Sequence, residues 1–142
     1  MIDLDLCWEL AELLDWKQIR EEDGWMIGLD PKGNWLKVPD FVNNAGVAGW
    51  LMMKSADFKL RPCLTASPNL SYYECHFEPV DYDGADVYGF PPGTPTSEVN
   101  EYLRRRTFSH AVANAFYIAL SVQRGIVPHL TPYVRIEEPE ER

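Results

Sequence analysis

The sequence predicts an α+β fold, a small α-β-α sandwich in which helices cover an antiparallel sheet. Three observations lead there. Apolar residues recur at helical spacing near 3–16, 44–54 and 109–124; strand-like stretches at 58–66 and 70–78 flank a turn; and 142 residues, 46% of them hydrophobic, suffice for one core.

Asp3 is a helix N-cap, and Leu4, Cys7, Leu10, Ala11 and Leu14 form the stripe of an amphipathic helix over about 3–16. Gly24, Gly28, Pro31, Gly33 and Pro39 break the next stretch, which reads as turn and loop with at most a short hairpin carrying Trp25, Ile27 and Trp35. Asn43 or Asn44 caps a second helix to about Lys54, where Gly46 and Gly49 point to close helix packing. Ser67, Pro68 and Asn69 turn a hairpin whose second strand alternates: Tyr73, Cys75 and Phe77 one way, Glu74, His76 and Glu78 the other.

Residues 79–97 are rich in proline and glycine and read as a long exposed loop, with a short strand around Asp86–Phe90 and a role as lid or intersubunit arm. Ser97 starts a short helix to Arg106. Ser109 caps a last one bearing Val112, Ala113, Phe116, Ala119 and Leu120, stopped by Gly125 and Pro128. The domain is therefore 1–125, followed by an acidic tail, 126–142, that frays unless a neighbouring chain holds it.

A formal charge of -9 excludes general attraction to nucleic acid or anionic lipid. Its distribution is more informative. Residues 1–30 carry nine acids and two bases, and residues 67–101 carry seven acids and no base, whereas 31–66 and 102–124 are net positive. Lys54, Lys59, Arg61 and the run Arg104, Arg105, Arg106 are thus expected either to converge on an anionic ligand or to face the acids as a solvated surface. Cys7, Cys63 and Cys75 form no CxxC pair, which argues against a disulfide framework and a structural zinc site. With an acidic N-terminus and no long apolar run, the expectation is a soluble, cytoplasmic protein.

Catalytic signatures are sparse. His76 and Glu78 make a His-x-Glu unit without the Pro-Cys-x-x-Cys of zinc deaminases, and no Gly-x-Ser-x-Gly, GxGxxG or Walker-type loop occurs. No enzyme and no cofactor are expected.

Three stretches together, AELLDWK at 11–17, PDFVNNAGVAGWLMMK at 39–54 and SHAVANAFYIAL at 109–120, resemble the phage α-β-α sandwich family. Asp15-Trp16, Pro39-Asp40-Phe41, Trp50 and the segment 111–115 take the places of its motifs, while Asn114 stands where its last helix usually carries Arg. The resemblance implies a non-enzymatic phage protein like the Thoeris anti-defence proteins, which sequester cyclic ADP-ribose-type signals and in some cases cyclic oligonucleotides. It implies a cyclic nucleotide ligand, a homo-oligomer in the host cytoplasm, and no membrane or direct nucleic-acid partner. Arg61, Arg104, Arg105, Arg106, Phe108, His110 and Asn114 are the expected ligand-binding residues. Two other readings compete: an acidic nucleic-acid mimic that inhibits a host defence protein, and a metal-dependent enzyme around His76 and Glu78.

Overall fold

The last apolar segment dictates the architecture. A computed structural model describes residues 3–84 and 86–133. In it, helix α4 (Phe108–Gln123) has every side chain from Ser109 to Ser121 buried except that of His110, which is half-buried. A helix apolar on all sides is stable only when covered on all sides. The covering is supplied by helices α1 (Asp3–Leu13) and α2 (Ala45–Lys54) and by strand β5 (Tyr73–Pro79). Phe116 sits at the centre, edge-on to Phe77 at 5.2 Å and to Phe58 at 6.0 Å between ring centroids.

The α+β class is as the sequence predicts, but the described residues form two three-stranded antiparallel sheets. The first is a meander of β1 (Lys17–Glu22), β2 (Trp25–Leu29) and β3 (Trp35–Lys37), where the sequence reading has mostly loop. Asp23 and Gly24, both at positive φ (54° and 81°), make the tight turn between β1 and β2 that suits right-handed strand twist. The second sheet pairs β4 (Leu60–Ala66), β5 and the two-residue β6 (Arg104–Arg105). The β5 alternation is as expected: Cys75 and Phe77 are each 1% exposed, while Glu74, His76 and Glu78 lie half-buried on the outer face.

Several boundaries differ from expectation for local reasons. The first helix stops at Leu13 because Asp15 turns left-handed (φ 69°) and the Trp16 N–H reaches back to the Ala11 carbonyl, a Schellman ending. Asn44 caps α2 through the Val47 N–H. Gly46 and Gly49 do not admit a neighbouring helix: a side chain at Gly49 would meet nothing within 4 Å, and α2 packs instead through Ala48 and Leu51. The third helix, α3 (Thr96–Leu103), gives way to β6 before Arg106. Thr107, not Ser109, caps α4; the Ser109 hydroxyl donates to the Val42 carbonyl.

The 79–97 segment has no strand at Asp86–Phe90 among its described residues, and it is not wholly exposed, because Phe90 is buried against Tyr102. Residues 126–133 are also held. The His129 N–H donates to the Tyr117 hydroxyl, and the Tyr133 N–H donates to the Glu101 carbonyl. The remainder of the acidic tail, including EEPEER, lies outside the described residues. No helix among those described is long and apolar enough to cross a membrane.

Candidate functional site

The basic residues sort into separate places. Adjacent side chains of a strand point to opposite faces, so β6 sends Arg104 outward and Arg105 inward. Arg104 donates to Glu74 at 2.7 Å and lies over the Tyr72 ring at 4.6 Å. Arg105, 7% exposed, donates to the Tyr102, Arg104 and Thr131 carbonyls and to Asn114 Oδ1. Burial lowers its pKa to about 10, still far above neutrality, so the guanidinium is charged, and both its terminal nitrogens are hydrogen-bonded. Arg106 is exposed.

The other expected contacts are equally dispersed. Arg61 reaches Glu78 at 3.3 Å, two pleats from the Arg104–Glu74 pair, or roughly 13 Å along β5. Phe108 packs edge-on against Tyr73, and the His110 backbone is tied to the Thr107 cap. Of the two expectations, the second holds for Arg61 and Arg104, each of which meets an acid of β5, while Arg105 with Asn114 braces the core and does not join them at one hollow.

A different cavity is built where α1, the 30–41 loops and α2 meet. It encloses about 640 Å³, within the usual range for small-molecule sites, and none of the seven expected ligand-binding residues lines it. Its aromatic walls are Trp16, Phe41, Trp50 and Phe58, with Lys32 and Lys54 as the cations and Asp15 and Asp30 as the acids.

Local folding explains each wall. The Schellman turn at Asp15 places Trp16 at the end of α1. Asp30 Oδ1 accepts the Lys32 and Asn34 N–H groups and fixes the loop that carries Lys32. Asp40 Oδ1 accepts from Val42 and Asn43, turning the chain into the Asn44 cap, so α2 starts beside the cavity and places Trp50 and Lys54 along one side. Lys54 Nζ stands 6.0 Å from the Trp50 ring centroid and 2.8 Å from Asp57. Trp50 is 46% exposed, so the cavity is open to solvent.

Asp15, Trp16, Pro39, Phe41 and Trp50, five of the residues that carry the family resemblance, come together around this cavity. The signal was in the sequence as Trp and Phe beside turn residues, but charge clustering pointed elsewhere. Comparison with family models, curated proteins and solved structures returned no match.

His76 and Glu78 have a third neighbour that sequence spacing does not reveal. Cys63 stands directly opposite His76 in the β4–β5 register. Its thiol donates to Glu78 Oε1 at 3.4 Å, His76 Nε2 lies 3.4 Å from the same oxygen, and Arg61 holds Oε2. Burial and the Glu78 carboxylate raise the Cys63 pKa. Burial would raise that of Glu78 too, yet the hydrogen bonds from Arg61, Cys63 and His76 outweigh it and hold the carboxyl below its ordinary value.

Proposed function

We propose that this chain is a non-enzymatic binding protein that takes a cyclic nucleotide signal into the cavity between α1 and α2, and so acts as a phage-encoded sponge against host immunity. The observation that carries the reading is the cavity: about 640 Å³, walled by Trp16 and Trp50, with Lys32 and Lys54 among its lining residues. Indole faces suit stacking of a nucleobase, lysines suit phosphate, and Asp15 and Asp30 suit ribose hydroxyls. The resemblance to the phage sandwich family supports the same ligand class, now with a different residue set. A homo-oligomer belongs to this proposal as well, a second copy covering the solvent-exposed Trp50.

Thermal unfolding with cyclic ADP-ribose isomers and cyclic di- and trinucleotides tests it. A ligand that binds only the folded state stabilises it by about 2.7 kcal/mol at a hundredfold excess over Kd and so raises the melting temperature. The shift is expected to disappear in Trp50→Ala and Lys54→Ala while the unliganded melting temperature stays close to that of the parent. No shift with any of these ligands overturns the proposal.

A further inference from the structure

The outer face of the β4–β5 hairpin carries a cluster of metal-ligating side chains apart from the α1–α2 cavity. Three ligating atoms, Cys63 Sγ, a His76 ring nitrogen and a Glu78 carboxylate oxygen, lie within 4.8 Å of one another. Two of the separations, Sγ to Oε1 and Nε2 to Oε1, are each 3.4 Å. A tetrahedral zinc ion with bonds of about 2.0 Å to nitrogen and oxygen and about 2.3 Å to sulfur sets its ligand atoms roughly 3.3–3.5 Å apart. The two pairs that share Glu78 Oε1 already stand at that spacing.

We infer that Cys63, His76 and Glu78 form a mononuclear site for a borderline-soft divalent cation, zinc above all, with the fourth position left to water.

Four features support this beyond proximity. The donor set of thiolate, imidazole and carboxylate selects zinc over calcium or magnesium, which take oxygen ligands. The three residues come from two paired strands, with Cys63 facing His76 across the ladder and Glu78 one pleat further along the same face, so register rather than loop conformation sets the geometry. Arg61 occupies Oε2 and leaves Oε1 as a single, directed ligand atom. The ligand set itself brings two negative charges, a thiolate and a carboxylate, to the dication, with the Arg61 cation held outside the coordination shell on Oε2. Metal entry forms bonds from sulfur, nitrogen and oxygen to the cation and releases the Cys63 thiol proton to solvent, with no change of oxidation state.

The test uses the full chain, reduced and stripped with chelator, titrated with Co2+ as a spectroscopic stand-in and with Zn2+. One equivalent of cobalt per chain with a sulfur-to-cobalt charge-transfer band is the expected result, as is a zinc-dependent rise in melting temperature. Cys7 and Cys75 are 0% and 1% exposed, so zinc should also protect Cys63 from thiol reagents in the folded protein. Cys63→Ser should remove the charge-transfer band, and His76→Gln should weaken zinc roughly tenfold or more, with circular dichroism confirming that both fold. Absence of the band in the parent, or zinc binding undiminished in both variants, overturns the site.

Discussion

Arg105 shows how far a side chain's role can depart from its composition. Three consecutive arginines read as a positive surface, yet strand alternation turns the middle one into the core, where Asn114 and three carbonyls accept its hydrogen bonds. Asn114→Ala removes one acceptor from a buried cation and one donor from the Tyr102 carbonyl. It should cost about 1–3 kcal/mol in urea unfolding, and Arg105→Met should cost at least as much. Glu78 gives a pH signature. Its folded pKa lies below the ordinary 4.5, so its contribution is complete above that value and is lost as pH falls through the depressed one. The stability gap between the parent and Glu78→Gln should therefore be widest near neutrality and close in acid, measured in metal-free protein. Cys75, its pKa pushed up to about 12 by burial, should stay unreactive to thiol reagents until the chain unfolds. The inward turn of Arg105 was not legible because β6 pairs with β5 across about thirty residues, and the meeting of Cys63 with His76 was not because the hairpin turns over residues 67–72, not 67–69, which resets its register.

Elements with a strong apolar period were legible and those held by pairing were not. Helices α1, α2 and α4 and the β4–β5 hairpin announce themselves by burial. Strand β1, Lys-Gln-Ile-Arg-Glu-Glu, is nearly all exposed and has no period to read; its evidence was the Asp23-Gly24 dipeptide, which the breaker reading of glycine hid. Likewise the α1–α2 cavity arises from turns at Asp15, Asp30 and Asp40 that bring distant aromatics together. Phe116→Ala, at the junction of α4 with the β5 sheet, should cost about 3–5 kcal/mol because both Phe58 and Phe77 lose their ring partner. Asn44→Ala should cost about 1 kcal/mol and loosen the first turn of α2 beside the cavity, measurable as weaker ligand-induced stabilisation.

At the scale of the molecule, the segment after α4 closes the fold. The Thr131 carbonyl accepts a hydrogen bond from Arg105, and the His129 N–H donates to the Tyr117 hydroxyl. Truncation after Gly125 should therefore lower stability by roughly 1–3 kcal/mol, seen as a lower urea midpoint, since a buried guanidinium loses an acceptor. The central placement of α4 has a further consequence for biosynthesis. The helix that α1 and α2 pack against comprises residues 108–123, more than fifty residues after the end of α2. At ~5–20 residues per second, about 3–14 s separate completion of α2 from completion of α4. Throughout that interval the apolar faces of segments 3–13 and 45–54 lack the surface that covers them in the finished fold.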